Sequence, residues 1–385
     1  MTGLVCAGST LAANAFDIPL QRRSFGINVN ETNTRAVVSY VDTIMMKYSN
    51  ALQNYKQNTG KDHPLASKTF EKRDEGSVDL KPAAGGAEWV GPIKVGGQEF
   101  LVDFDTGSAD LIVNAAAYDP SKSDSSVDTH KQFRASYGDG TNGNGEVYRD
   151  SLELGGATAD SVSIGRSDKQ LADPNKEDGN QGIAGLAFTS ISGFRKHDLG
   201  AKSIYEAIGK SNSVPHNVYQ FTLTTGDGSQ LHVGGVDNSK ISGDITYVNV
   251  DPAYGFWFTH ATISGMHVPA VIDSGTTLIM GVRDQVENLL KSIDGVEVVS
   301  NNGQIHGVYD CDRDLGITIN IGGKDMRISK EAQRMGTVGD RCLLSIIGAS
   351  YDQPMNAWTV GDTLFRGNSI IFDMERHRLG FATAA

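Results

Sequence analysis

The sequence predicts an all-β protein with a few short helices, divided into two domains. The chain holds 45 Gly against 10 Pro, and Val, Ile and Thr recur in short runs between Gly-containing turns, which is typical of many short strands. At 385 residues the chain is long for a single hydrophobic core, so two domains are expected. A motif that occurs twice, half a chain apart, supports the same division.

The repeated motif is an Asp that ends an apolar run and is followed by a small hydroxyl residue and a Gly. The first copy is FDTGS at Phe104–Ser108, and the second is VIDSGTT at Val271–Thr277, so the two Asp are 168 positions apart. Gly allows a tight turn because it has no Cβ. A single copy would indicate an ordinary solvated turn. Two matched copies indicate two carboxylates, each on a loop that leaves a buried strand.

Together the two copies resemble the motifs of the pepsin-like aspartic proteases, and residues Phe104–Leu111 are most similar to the secreted fungal members, the penicillopepsins and aspergillopepsins. The resemblance covers residues 74–385. It implies two β-barrel-like lobes with a cleft between them, and a monomeric endopeptidase that needs no cofactor or metal. Asp105 and Asp273 would be catalytic, because like charges held close together let one carboxyl keep its proton while the other activates a water molecule.

The resemblance also gives the small residues of both motifs supporting roles. Thr106 and Ser274 would hydrogen-bond across the lobe interface, and Ser108 and Thr276 would orient the outer carboxylate oxygens. A pair of carboxyl groups without such support would be loosely held. The predicted supporting residues are Thr106, Gly107, Ser108, Ser274, Gly275 and Thr276.

Charge is distributed unevenly along the chain. The formal net charge is −12, made up of +4 over residues 16–73 and −16 over residues 74–385. We therefore expect the basic segment to bind the acidic one. The acidic body argues against nucleic acid as a partner, and the absence of an 18-residue apolar run argues against a membrane span.

The first 73 residues are predicted to be removed from the working enzyme. Residues 1–15 are mildly apolar and end in Ala13-Asn14-Ala15, which indicates a signal peptide and a secreted protein, with a vacuolar location as the alternative. Residues 16–73 indicate a pro-segment that ends at the dibasic pair Lys72-Arg73, in a stretch suited to proteolysis. Cleavage there would make Asp105 residue 32 of the remaining chain, the depth at which the family carries its first catalytic Asp.

The pro-segment contains one strong helical pattern. From Arg35 to Gln57 apolar residues recur at intervals of three and four, which predicts an amphipathic helix or a pair of helices. An ordinary core helix is the alternative interpretation. In the family, a Lys of the pro-segment blocks the catalytic pair, so the segment acts as an intramolecular inhibitor. Lys47 is the first candidate for that Lys and Lys56 the second.

A hairpin is predicted between the two motifs. Residues Ser136–Gly140 lie between two strand-like runs and are typical of a hairpin tip, which the resemblance identifies as the flap over the substrate. Ile112 stands where the family has a Trp that steadies the flap Tyr, so the flap is expected to be more mobile or to use another partner. The residues expected to contact substrate are Tyr137, Gly138, Asp139, Asp103, Ile112 and Thr277.

Two of these residues are acidic, and each has an alternative role. In similar fungal enzymes an Asp at the position of Asp139 accepts a Lys side chain just before the scissile bond, so cleavage after Lys is expected beside cleavage between large apolar residues. Asp139 could instead be a solvated turn residue. Asp103 lies on the same strand face as Asp105, or else is a buried, hydrogen-bonded strand carboxylate.

The remaining predictions concern the second half of the chain. The lobes are expected to cover residues 74–245 and 246–385, and Val286, Leu289, Leu290 and Ile293 predict a helix in the second. An oxidising compartment would pair Cys311 with Cys342, and two separate buried thiols are the alternative. The resemblance implies one disulfide at these positions. It also implies that the apolar segments at residues 182–186 and 360–362 run beneath the motif loops.

Three other classes of function fit the sequence less well. A pepsin-fold protein that binds peptide but is catalytically weak or silent is the main alternative, although both Asp are present. A two-carboxylate glycosidase would not require two matched motifs. A metal enzyme is disfavoured because the nine His residues include no His-x-x-x-His cluster.

Overall fold

β-strands dominate the architecture of the chain. The computed structural model describes residues 15–22, 27–28, 34–67, 89–136, 142–168, 180–198, 200–224, 228–349 and 353–385. The four α-helices found there are α1 (Thr34–Thr59), α2 (Ile204–Ser211), α3 (Arg283–Ser292) and α4 (Asp362–Phe365). The strands found there are β1 (Phe16–Pro19), β2 (Gln21–Arg22), β3 (Ile27–Asn28), β4 (Trp89–Val95), β5 (Gln98–Asp105), β6 (Leu111–Asn114), β7 (Val127–Ser136), β8 (Asn142–Leu154), β9 (Ala157–Ser167), β10 (Gly182–Gly185), β11 (Val218–Thr222), β12 (Gln230–Val233), β13 (Ile241–Asn249), β14 (Phe258–Ile263), β15 (Met266–Ile272), β16 (Ile279–Gly281), β17 (Val296–Asn301), β18 (Gln304–Asp310), β19 (Thr318–Ile321), β20 (Lys324–Arg327), β21 (Arg334–Val338), β22 (Arg341–Gly348), β23 (Trp358–Val360), β24 (Asn368–Asp373) and β25 (Arg378–Ala384). The predicted all-β class with few helices is confirmed.

The strands form three sheets. An eight-stranded sheet from the first half has the order β2-β4-β5-β10-β6-β9-β8-β7. An eleven-stranded sheet, mostly from the second half, follows β17-β18-β22-β16-β23-β15-β14-β19-β20, with β21 paired to β22 and β3 paired to β21. A six-stranded sheet, β1-β12-β11-β24-β25-β13, joins strands from both halves. The predicted boundary near residue 245 falls within β13, at an irregularity between Ser242 and Thr246, and the division into lobes stays a prediction.

The two motifs sit in the same local arrangement, which explains why the sequence repeats. β5 runs parallel to β10, and β10 runs antiparallel to β6. In the second half β15 runs parallel to β23, and β23 runs antiparallel to β16. The segments predicted to pass beneath the motif loops therefore do so. Gly361 is required there because an added Cβ would lie 1.8 Å from the carbonyl oxygen of Thr276.

The predicted pro-segment helix is present as one continuous helix. α1 is 26 residues long and extends the predicted span by one or two residues at each end. Its apolar stripe is buried in a cluster that contains residues from both halves of the chain, such as Ala187 and Ile191 from the first and Leu278 and Met280 from the second. The buried members of the stripe are Val37, Val41, Ile44, Tyr48, Ala51, Leu52 and Tyr55.

The N-terminal strands attach the same segment to every sheet. β1 pairs antiparallel with β12, β2 pairs antiparallel with β4, and β3 pairs parallel with β21. Beyond α1, a bridge joins Ala66 to Met355. Residues 16–67 thus contact both halves of the molecule at several separate places.

Two further predictions about the second half are confirmed. α3 buries Val286, Leu289 and Leu290 as its periodicity predicts. Cys311 and Cys342 form a disulfide with a Cα–Cα distance of 4.9 Å.

Several predicted features fall outside the described residues. They are residues 1–14 of the predicted signal peptide, the processing pair Lys72 and Arg73, and the hairpin tip with Tyr137, Gly138 and Asp139. The strands on either side of that tip, β7 and β8, pair antiparallel up to Ser136 and Asn142. In the described part of the chain, no helix has the length and apolar character needed to cross a membrane.

Candidate active site

The two motif Asp residues lie at matching positions on neighbouring loops. Asp105 ends β5 with 4% of its surface exposed, and Asp273 directly follows β15 and is fully buried. The Oδ1 atom of Asp105 accepts a hydrogen bond from Gly107 N at 2.8 Å, and Oδ1 of Asp273 accepts one from Gly275 N at 3.0 Å. Both carboxylates are therefore oriented by the backbone of their own loops.

Reciprocal hydrogen bonds tie the two loops together. Thr106 N donates to Ser274 Oγ at 3.1 Å, and Ser274 N donates to Thr106 Oγ1 at 2.9 Å. Each hydroxyl then donates to a carbonyl on the other side, Thr106 to Ile272 O at 3.1 Å and Ser274 to Phe104 O at 2.6 Å. All these groups are buried, so each bond replaces one that water would otherwise make. The contacts expected of Thr106 and Ser274 are present.

The two motif glycines are needed for close approach. An added Cβ at Gly275 would lie 2.2 Å from Asp105 Oδ1, and one at Gly107 would lie 2.5 Å from Asp273 Oδ1. Neither glycine has a positive φ. The sequence suggested a tight turn as the reason for Gly, whereas the structure shows that each Gly makes room for the carboxylate of the opposite loop.

The hydroxyl residues that follow the glycines are not equivalent. Thr276 Oγ1 donates to Asp273 Oδ2 at 2.6 Å, as expected. Ser108 Oγ is buried without a hydrogen-bond partner among the described residues, so its predicted contact with Asp105 is absent. The carbonyl of Ser108 accepts from Ala187 N at 2.7 Å, which holds the residue against the chain beneath it, and from there the hydroxyl reaches no acceptor.

Lys47 from the middle of α1 bridges the two carboxylates. Its Nζ lies 2.7 Å from Asp105 Oδ1 and 3.0 Å from both oxygens of Asp273. Lys56, the second candidate, lies on the surface and pairs with Asp62 at 2.8 Å. Of the two candidates, only Lys47 contacts the carboxylate pair.

Two tyrosines of α1 add contacts that the sequence did not predict. Tyr48 OH donates to Asp273 Oδ2 at 2.7 Å. Tyr40 OH donates to Thr277 Oγ1 at 3.0 Å and accepts from Thr277 N at 2.8 Å. In the sequence pattern, Tyr48 is only one of the apolar positions of the predicted helix. The available signal was that a buried Tyr hydroxyl needs a polar partner.

The pKa values of the two carboxyl groups are shifted in opposite directions. Burial raises the pKa of Asp105, and the charge of Lys47 opposes that shift while Asp273 adds to it. Burial also acts on Asp273, but the charge of Lys47 and several hydrogen bonds outweigh it and lower its pKa. Burial would lower the pKa of Lys47, yet the two carboxylates raise it above its ordinary value. Asp105 is thus the member of the pair that keeps a proton more readily.

A search against protein-family models identifies the chain's family. Residues 88–384 match the model described as eukaryotic aspartyl protease. The chain belongs to the eukaryotic aspartyl protease family. The resemblance inferred from the two motifs is confirmed, and so is the assignment of the protein as an aspartic-type endopeptidase, whose substrates are proteins.

Several relatives of the protease come from fungi. Secreted aspartyl protease 1 of Malassezia globosa is 38% identical over 99% of this chain and 97% of its own length. Aspergillopepsin-1 of Emericella nidulans is 28% identical over 99% of this chain and 98% of its own length. A third relative, from Malassezia globosa, is described as a probable inactive secreted aspartyl protease and is 31% identical over 79% of this chain and 80% of its own length.

A solved structure supports the fold of the protease. The aspartic proteinase from Irpex lacteus superposes with a TM-score of 0.64 at 21% sequence identity, and the match covers 77% of this chain and 94% of that one. At this level of identity the likeness concerns the fold alone. The predicted pepsin-like fold is confirmed.

Two other predicted site residues of the protease, Asp103 and Ile112, lie on the strands on either side of the first motif loop. Asp103 is buried in β5, where it pairs with Val90 and Ile183. Ile112 in β6 packs against a small cluster below the hairpin that includes Phe133 and Phe194. Ile112 therefore supports the base of the hairpin by packing, in place of the ring N–H that a Trp would offer.

The C-terminal end of α1 has its own anchor on the protease. Asn54 Nδ2 donates to Ile191 O at 3.2 Å. Asn58 Nδ2 donates to Ser190 O at 3.0 Å and to Ser192 O at 2.9 Å. These contacts join the helix to a loop of the first half. The sequence did not predict them, because an Asn outside the apolar stripe of a helix gives no indication of a distant partner.

Proposed function

We propose that this protease is made as a zymogen and that Asp105 and Asp273 form its catalytic dyad. The observation that carries the proposal is that the ammonium group of Lys47 hydrogen-bonds to both carboxylates, which therefore converge on one point. Once Lys47 has left, two carboxyl groups so close together cannot both ionise readily, and one proton is held between them.

That arrangement supports general acid–base hydrolysis. The ionised carboxyl would accept a proton from a water molecule lying between the pair, and the protonated carboxyl would donate to the scissile carbonyl oxygen. Water attacks directly, so no acyl-enzyme forms. The opposite pKa directions of the two groups favour Asp105 as the protonated member in the state with Lys47 bound. The rate should peak in acid, roughly between pH 2 and 5.

The segment 16–73 would keep the zymogen silent at neutral pH. α1 occupies the space above the dyad, and Lys47 and Tyr48 take hydrogen-bonding positions that water and substrate would need. Acid protonates carboxylates on the −16 body and weakens its attraction for the +4 segment. Cleavage after Arg73 would then release the segment, and the names of the secreted relatives support a secreted enzyme.

Large apolar residues on both sides of the scissile bond should be preferred. The buried cluster that contains the apolar stripe of α1 also includes Phe256, Phe258, Leu278, Met280 and Met355. Side chains of this cluster would become available to substrate when the helix leaves. Burying one Leu or Phe side chain of a substrate there contributes roughly 1.5–3 kcal/mol.

Replacing either carboxylate tests the dyad. Asp105→Asn and Asp273→Asn should each reduce hydrolysis of a denatured protein in acid by several orders of magnitude, because each change removes half of a shared proton site. A statine-type peptide should block the wild type. A variant with a tenth of wild-type activity would refute the mechanism, and a wild type that binds the statine peptide without hydrolysing protein would support the alternative of a silent peptide-binding protein.

Asp139 is proposed to let the enzyme cleave after Lys. An ion pair in a partly closed cleft contributes about 1 kcal/mol, so Asp139→Ser should lower kcat/KM several-fold for a peptide with Lys before the cut. A matched peptide with Leu there should be cleaved nearly as before. Equal losses on both peptides would mean that Asp139 shapes the hairpin and does not contact the substrate.

A further inference from the structure

A pocket lies where the beginning of α1 meets the second half of the chain. It has a volume of about 370 Å³ and is formed between α1 and strands β17, β18, β21 and β22. Its apolar wall consists of Val37 from the helix and of Val299, Val308, Val338 and Leu343 from the strands. A side chain with a few methylene groups would fit this wall.

The polar part of the pocket contains nitrogen atoms without partners. His306 is 4% exposed, and neither of its ring nitrogens has a hydrogen-bond partner among the described residues. Nε of Arg341 is also buried without a partner there, whereas its Nη2 donates to Val308 O at 3.1 Å. Buried polar groups are normally paired, so these unpaired nitrogens indicate missing partners. A neutral His306 ring has one N–H to donate, and Nε of Arg341 has another, so two N–H groups here lack an acceptor. Burial lowers the pKa of His306 to about 4.

The position of the pocket follows from the geometry of α1. Val37 precedes Lys47 by ten residues, which corresponds to about 15 Å along a helix. An extended peptide covers that distance in four or five residues at about 3.3 Å each. If substrate replaces α1 in the cleft, as the proposed function requires, the pocket lies beside a substrate residue four or five positions from the scissile bond.

We propose that this pocket is a subsite for an acidic substrate side chain and that His306 and Arg341 recognise it. A carboxylate has only acceptor oxygens and suits a group of N–H donors. In the zymogen the pocket is covered by Val37, which offers no acceptor, so the donors remain unpaired until the helix leaves. The one acidic residue of the lining, Glu297, already lies 3.4 Å from Nη1 of Arg341 and its side chain is 65% exposed.

Peptide cleavage by the activated enzyme tests the subsite. A reference peptide with apolar residues at the cut is varied to carry Glu, Gln, Leu or Lys at the fourth and fifth positions on either side, and kcat/KM is measured near pH 5, where a free Glu is mostly ionised. At one of these positions Glu should exceed Gln by about tenfold, mainly through KM. His306→Leu should bring the Glu-to-Gln ratio to about one. Arg341→Gln should lower it in part.

The control is His216→Leu, at a half-exposed His that pairs with Glu375 on another face, and it should leave the ratio unchanged. Thermal melting shows whether each variant folds, and His306→Gln serves if the Leu variant does not. An enzyme that cleaves the reference peptide but shows no preference for Glu, or a preference that survives His306→Leu, overturns the subsite and leaves the dyad intact. If Asp273→Asn cleaves the reference peptide as the wild type does, the proposed function fails and the subsite fails with it.

Discussion

At the scale of single residues, the site depends on two loops packed closely enough for each carboxylate to touch the opposite glycine. The space is so tight that one added methyl group at residue 275 would overlap Asp105. The reciprocal bonds of Thr106 and Ser274 hold this contact. The identity of these small residues is therefore set by the geometry between the loops as much as by the turn within each loop.

Gly275→Ala should abolish activity without preventing folding. Its Cβ would lie 2.2 Å from Asp105 Oδ1, so the loops must separate and the carboxylates must lose their shared position. We expect a loss of 100-fold or more in kcat/KM, which corresponds to about 2.7 kcal/mol. Gly235→Ala is the matched control, because its Cβ would meet only Ala15 at 4.0 Å. Substantial activity in the Gly275 variant would show that the loops can adjust.

Sequence patterns predict the residues of the motifs but not every contact they make. Asp105, Asp273, Thr106 and Ser274 could be identified because the pattern is local and occurs twice. Ser108 and Thr276 occupy equivalent motif positions, yet only Thr276 bonds to its Asp. That difference depends on how each loop packs on the chain below it, and a local pattern does not contain this information.

At the scale of elements, α1 is the part of the predicted pro-segment that reaches the site. Its periodicity predicted its span closely because an amphipathic stripe is a local property. The residues that the helix contacts could not be predicted from the sequence, because they are distributed over both halves of the chain. His63, just after the helix, is such a case: its Nε2 lies 2.5 Å from Tyr254 O, and its Nδ1 accepts from Leu65 N at 3.1 Å.

His63→Gln should shift zymogen activation to lower pH. The bonds of His63 require a neutral ring, because a proton on Nδ1 would face the N–H of Leu65. Burial lowers the pKa of His63 below 6.5, although the bond to Tyr254 opposes this. A released segment therefore binds a proton more readily than a docked one, so docking weakens as pH falls below about 6.5. Gln lacks this titration and should stay docked to lower pH.

Activation is measured as the proteolytic activity that appears when the zymogen is incubated at each pH. The exposed His216 provides a control, since His216→Gln should activate at the wild-type pH. The same midpoint for His63→Gln and the wild type would mean that carboxylates alone set the response.

At the scale of the whole molecule, an acidic body holds a basic segment through contacts that run from one half to the other. The family and the fold could be predicted from the sequence, because they follow from motifs and composition. The two motifs also indicated the pair of carboxylates that Lys47 bridges. The route of residues 15–22, 27–28 and 34–67 could not be predicted, because strands of two to four residues such as β1, β2 and β3 are too short to carry a pattern.

The isolated segment 16–73 should inhibit the mature enzyme when added as a separate peptide. Inhibition should be strong at neutral pH and low salt, and should weaken in acid or at high ionic strength, because the attraction is between +4 and −16. In the intact chain the segment acts at a high effective concentration, so the separate peptide should need to be supplied well above catalytic amounts of enzyme.

Lys47→Ala and Lys56→Ala peptides provide the comparison. Only Lys47 reaches the dyad, so its loss should raise the inhibition constant by at least tenfold, whereas the Lys56 variant should resemble the wild-type peptide. If both variants inhibit as well as the wild type, the ammonium group is not what blocks the site.

The strands β1, β2 and β3 cover the edges of other strands, and these edges would be exposed if the segment left. Each pairs with a strand of a different sheet, so its loss uncovers backbone N–H and C=O groups along β12, β4 and β21. Uncovered edges of this kind are templates for strand addition and for aggregation. If the segment is removed, as we propose, three strand edges are therefore exposed. The mature enzyme must cover them, with chain that follows the cut or with another molecule, if it is to stay dispersed at high concentration.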